Sequence, residues 1–241
     1  MSNAPTLVFI PGLLSDETVW APVAERLPVA NPVHFAAVTG HRSIEAMASA
    51  ILSDSAGPLV AAGHSMGARV AIEMSRQAPG RVAGLILADT GHHPVRPEEV
   101  PNRHRRVALG HRGMDLLLDD WLPGMVHPDR HGDTALMNAL REMGHRAGPH
   151  VHEDQIAALL ARPDAGACLP GLQGPKLLLV GRDDLWSPVG QHQEMLELVS
   201  DGELVVIDNA GHFAPLERPD ETGSAIAGWL LRHGLAALRK R

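Results

Sequence analysis

The sequence predicts an α/β fold, with a mostly parallel sheet flanked by helices and a helical insertion in the middle of the chain. Three observations carry this expectation. Six apolar runs of four to seven residues recur along the chain, each bounded by Gly, Pro, Asn or Asp. Between them, apolar residues recur at spacings of three and four, and this alternation is the signature of βαβ units around a parallel sheet. The strand-like runs stop between residues 91 and 174, where His, Arg and Pro become frequent.

In chain order the runs are 6–10 (TLVFI), 33–38 (VHFAAV), 59–62 (LVAA), 82–88 (VAGLILA), 176–180 (KLLLV) and 203–207 (ELVVI). They are apolar on both faces, as strands covered by helices on both sides require. The first helix is expected to carry Val19, Val23 and Leu27, and the second Ile44, Met47, Ala48 and Ile51. Ser15 and Ser43 stand where N-caps are needed, and Ser187-Pro188 opens a helix at 189–199. A helix at 68–77 follows the third strand, and the last helix, 220–233, stops at Gly234. The tail 235–241 is expected to fray. Helical spacing at 114–122, 135–143 and 155–160 makes 91–174 a helical lid within one domain, whose core comprises 1–90 and 175–241.

A chain of 241 residues is long enough for one well-buried core. Lys and Arg number 21 against 28 Asp and Glu, a net charge of −7. That balance disfavours nucleic acid and anionic membrane surfaces as partners, so a small-molecule substrate is expected. The single cysteine, Cys168, excludes an intramolecular disulfide and suits a reducing compartment. Residues 1–5 (MSNAP) show no charged segment leading into an apolar stretch, and no run approaches a membrane span. The expected location is the cytoplasm. The absence of tyrosine excludes any mechanism that needs a phenolic acid or nucleophile.

The sharpest local signal is Gly63-His64-Ser65-Met66-Gly67, directly after the third strand and before a helix. A serine on so tight a strand-to-helix turn is lifted above the sheet edge, and flanking glycines are needed where side chains would strike the neighbouring elements. The next helix aims its first N–H groups at that serine, so the Met66 amide is placed to stabilise an oxyanion.

With this motif in this context, the chain resembles the α/β-hydrolase family over nearly its whole length. Ile10-Pro11-Gly12-Leu13 stands where the family carries a strand followed by His-Gly and an oxyanion-hole residue. By that resemblance the Leu13 N–H is the second oxyanion donor, while Pro11 replaces a side chain that often braces the loop. The family's acid falls in a G-x-x-D-x-x-x-P pattern, which Gly181 to Pro188 matches with Asp184. Its neighbour Asp183 and the post-strand Asp89 remain alternatives. The base is implied by Gly211-His212, followed by Glu217 and Pro219. The order Ser65, Asp184, His212 is that of the hydrolases.

The resemblance implies a cofactor-free serine hydrolase acting on a small ester or thioester through an acyl-enzyme. C–C hydrolase, lyase and cofactor-free perhydrolase or oxygenase chemistries run on the same constellation, as does a slow-turnover signalling member of the fold. Ser65 stands where dehalogenases and epoxide hydrolases carry Asp. Trp121, Trp186 and Phe213 are candidate pocket walls, and Arg103, Arg105 and Arg106 are candidates to hold a substrate carboxylate from the lid. His64 is expected to be structural. The pairs His92-His93, His127/His131 and His150/His152 are not expected to bind metal, because adjacent histidines diverge on an extended chain, Pro128 interrupts an i,i+4 pair, and no matching carboxylate spacing accompanies them.

Overall fold

A computed structural model describes residues 4–239. The elements are β1 (Thr6–Ile10), α1 (Ala21–Arg26), β2 (Val33–Phe35), α2 (Ile44–Asp54), β3 (Leu59–His64), α3 (Met66–Gln77) and β4 (Val82–Ala88). Four helices follow without a strand: α4 (Glu99–Arg112), α5 (Met114–Trp121), α6 (Thr134–Leu160) and α7 (Ala165–Cys168). The chain closes with β5 (Lys176–Gly181), α8 (Val189–Leu198), β6 (Gly202–Ile207), α9 (Ala214–Glu217) and α10 (Pro219–Arg232).

The six strands form one sheet in the order β2-β1-β3-β4-β5-β6, every pair parallel. Strand residues alternate between two buried layers. Leu7, Phe9, Val60, Ala62, Ile86, Leu177 and Leu179 face a layer built on Trp20 and Trp229. Val8, Ile10, Ala61, Leu85, Leu87 and Leu178 face one built on α2 and α3. Parallel strands put all their C-terminal ends on one edge, where open α/β sheets bind ligands. The segment between β4 and β5 lies across that edge and feeds both layers, Trp121 and Leu140 into the first and Ile156 and Leu159 into the second.

Several local expectations are corrected. Asp16, not Ser15, caps the first turn, accepting from the Thr18 N–H, while Ser15 Oγ donates to the Leu13 carbonyl. Ser43 does cap α2, accepting from the Ala46 N–H at 3.1 Å. Pro188 is the N-cap of α8 instead of its first helical residue. The stretch 36–38 leaves the sheet, because β2 ends at Phe35. The two helices expected at 135–143 and 155–160 are halves of α6, broken at Gly148 (φ +74°) before Pro149. Proline cannot continue the hydrogen-bond ladder, and glycine takes the left-handed turn at no steric cost. The tail is docked instead of frayed: Leu238 bridges to Val29, and the Arg239 N–H donates to the Pro28 carbonyl at 2.8 Å. Lys240 and Arg241 lie outside the described residues.

Candidate active site

Four loops from the sheet's C-terminal edge meet around Ser65. The serine has φ +54° and ψ −116°, a conformation rarely adopted by residues other than glycine, and its amide donates to the Ala88 carbonyl of β4 at 2.8 Å. The Thr90 hydroxyl donates to the Ser65 carbonyl at 2.9 Å and locks the turn from the other side. A Cβ on Gly63 would sit 2.3 Å from the Ala68 nitrogen, and one on Gly67 would sit 2.3 Å from the Ile10 carbonyl oxygen. The turn therefore exists only with glycine at both positions.

His212 Nε2 lies 2.8 Å from Ser65 Oγ, and His212 Nδ1 lies 2.8 Å from Asp184 Oδ2. A carboxylate only accepts, so Nδ1 carries the proton and Nε2 is left to accept from the serine hydroxyl. Asp184 Oδ1 is fixed by the Trp186 and Ser187 N–H groups at 2.8 and 2.9 Å. Burial works to raise the Asp184 pKa, but the charge and hydrogen bond of His212, with the two backbone donors, hold it below the usual carboxylate range. His212 and Asp184 are 1% and 2% exposed, so their attraction is little screened.

The other two acid candidates stand elsewhere. Asp183 meets His127 Nε2 at 3.3 Å, away from His212. Asp89 is fully buried and accepts from the Gly181 N–H at 2.8 Å and the Ala214 N–H at 3.1 Å, tying β4 to the loops that carry Asp184 and His212. Burial and the neighbouring Asp184 charge push its carboxyl well above the ordinary range. Glu217 plays a similar part beneath the histidine loop, accepting from the N–H groups of Gly211, Phe213 and His127. His64 is buried, donates through Nε2 to the His212 carbonyl at 2.6 Å and stacks on Phe213 at 5.2 Å. Burial and the nearby His212 lower its pKa to about 3, so it stays neutral.

Two bracing groups have no obvious signal in the sequence. Leu14, at φ +54°, has its N–H taken by Gln155 Oε1 at 2.8 Å, so a buried glutamine from α6 orients the loop that carries Leu13. Met125, between α5 and α6, accepts from the His212 N–H at 2.8 Å and thus links the insertion to the histidine loop.

A cavity of about 300 Å³ opens beside Ser65, and Leu13, Met66, Trp121, Trp186 and Phe213 all line it. Arg103 and Arg106 also line it, but both are paired. Arg103 bonds Glu99 at 2.9 Å; Arg106 bonds Asp120 at 2.9 Å and lies 5.1 Å from the Trp186 ring centre. Arg105 turns to Asp120 as well and is not among the lining residues. A buried Arg162 completes the Glu99 cluster at 2.7 Å. Sequence reasoning did not single out Arg69 on α3, which also lines the cavity and has no carboxylate bonded to it.

The expectation that adjacent histidines diverge does not hold. The rings of His92 and His93 are 4.0 Å apart, and Glu194 Oε2 lies 3.8 and 3.2 Å from their Nε2 atoms. Both rings therefore face the one Glu194 carboxylate on α8. These groups offer ligand atoms within 4.8 Å of one another, as do His111, His150 and Glu153. Arg69 places a positive charge near His92, which opposes a cation there.

A buried carboxylate-imidazole-serine chain beside backbone donors, on the C-terminal edge of a parallel sheet, defines the class of serine-centred hydrolase folds. The chain belongs to the alpha/beta hydrolase family, whose family model matches residues 7–225. It is similar to a pimeloyl-acyl-carrier-protein methyl ester esterase of Aromatoleum aromaticum, 26% identical over 93% of this chain and 97% of that one. It is also similar to an N-formylmaleamate deformylase of Pseudomonas putida, 27% identical over 93% of this chain and 88% of that one. Among solved structures, a thermophilic esterase from Thermogutta terrifontis with malate bound superposes with a TM-score of 0.86 at 29% identity, covering 95% of this chain and 90% of that one.

Proposed function

We propose that this chain is a serine esterase that hydrolyses a small carboxylic ester through an acyl-enzyme. The observation that carries the reading is the continuous hydrogen-bond chain from Ser65 through His212 to Asp184, ending at a cavity lined by Leu13 and Met66. His212 takes the Ser65 proton as Oγ attacks the ester carbonyl, and Asp184 stabilises the imidazolium that forms. The amides of Leu13 and Met66 receive the oxyanion. The alcohol leaves with the proton from His212, and a water activated by the same ring then cleaves the acyl-serine. None of these steps calls for a cofactor.

A cavity near 300 Å³ stands at the small end of ligand sites and suits a compact acyl group. The relatives described as esterases support ester cleavage, and the malate held by one of them supports a small polar acid as occupant. The test is turnover of short p-nitrophenyl esters. The wild type should hydrolyse them, and Ser65→Ala should lower kcat/KM by at least about 10³ with an unchanged unfolding temperature. Equal turnover in Ser65→Ala refutes the reading.

A further inference from the structure

Although the whole chain carries a net charge of −7, the cavity wall is locally positive, with five arginines against two glutamates among its lining residues. Glu99 is shared by Arg103 and Arg162, and the second glutamate, Glu98, is exposed. Arg69 stands apart from these pairs. Its Nη2 donates to the His93 carbonyl at 3.1 Å, while its Nη1 is shut off from solvent with no hydrogen-bond partner. Glu99 and Asp164 act on it only through space. Burial and repulsion from Arg162 and Arg103 bring its pKa down to about 9, so its surroundings disfavour the charge.

Arg69 is half-buried as a whole, and a guanidinium with an unbonded, solvent-shielded donor is costly to keep unless a ligand or water supplies the acceptor. Arg69 lies one helical turn beyond Ser65 and lines the same cavity. A guanidinium fork matches a carboxylate in charge and shape. We infer that the preferred substrate is an ester whose acyl half carries a free carboxylate a few bonds from the scissile carbonyl, and that Arg69 receives that carboxylate. This rests on the esterase reading above.

The test compares mono-p-nitrophenyl glutarate with p-nitrophenyl pentanoate, which differ in having a carboxylate or a methyl at the far end. The wild type should favour the glutarate ester in kcat/KM by about tenfold or more, chiefly through KM. Arg69→Gln should lower that ratio by about 10- to 100-fold, and Arg69→Lys should retain part of it. Removing an unpaired buried charge should leave the unfolding temperature of Arg69→Gln equal or higher, whereas loss of a merely structural arginine would lower it. Calorimetric titration of glutarate into Ser65→Ala and into Ser65→Ala/Arg69→Gln needs no turnover and should show binding lost in the second. A preference for the pentanoate ester, a ratio unmoved in Arg69→Gln, or equal glutarate binding by both proteins overturns the inference. Failure of both esters to turn over while glutarate binding depends on Arg69 counts against the esterase reading alone.

Discussion

Replacing Asp184 by Asn keeps the side chain's shape but offers an amide where His212 Nδ1–H needs an acceptor, favouring the wrong imidazole tautomer. Asp184→Asn should therefore lower kcat by about two to four orders of magnitude, read from steady-state kinetics on a p-nitrophenyl ester. Asp183→Asn, at a carboxylate facing His127, should stay within about tenfold of wild type. Asp89→Asn belongs to stability: an amide facing two backbone donors leaves at least one unsatisfied, costing about 1–3 kcal/mol, or roughly 2–10 °C in unfolding temperature. Gln155→Leu frees the Leu14 N–H and loosens the loop of Leu13, so kcat should fall by about tenfold or more with little change in KM. The proposed nucleophile and base were legible because their chemistry imposes a spelling, glycines beside Ser65 and a glycine before His212. Gln155 and Arg69 were not, since a lone polar residue on a helix looks solvated until tertiary packing shows what it faces.

At the scale of elements, α4 is a fourteen-residue helix that left no periodic signal. Of its fourteen residues only Gly110 is buried; Val107 and Leu109 pack half-buried against the two cores, and ion pairs join Glu99 with Arg103 and Arg162, and Asp120 of α5 with Arg105 and Arg106. The Glu99 to Arg103 spacing of four was present in the sequence and would have marked Arg103 as half of an ion pair along the helix. Burial alone would raise the Glu99 pKa, but bonds from Arg162 and Arg103 bring it down from 4.5 to about 2. A carboxyl depressed on folding stabilises the fold above its unfolded value, and that contribution fades as pH falls from about 4.5 towards 2. The unfolding-temperature gap between wild type and Glu99→Gln should then be several degrees at pH 7 and close as pH falls below about 3. A gap that is constant with pH would show the pairing to be energetically idle.

Across the whole molecule, the parallel sheet converts distant sequence into one site: the loops after β1, β3, β5 and β6 supply Leu13, Ser65, Asp184 and His212 at a common edge. The alternation of short apolar runs and helical periods made this topology readable, because strands buried on both faces leave uninterrupted apolar runs. The segment between β4 and β5 is more than a cover, since Met125 holds the His212 amide and Gln155 holds the Leu14 amide. Changes in that segment should reach kcat as well as KM, unlike those of a detached lid. The central claim is that Ser65 carries the acyl group, and acid-quenching the enzyme during turnover of a slowly deacylated p-nitrophenyl ester tests it most directly. Peptide mass mapping should find one acyl adduct, on the peptide containing Ser65, and none in Ser65→Ala. An adduct on another residue that forms and decays at the turnover rate, or turnover that persists in Ser65→Ala, would contradict the account.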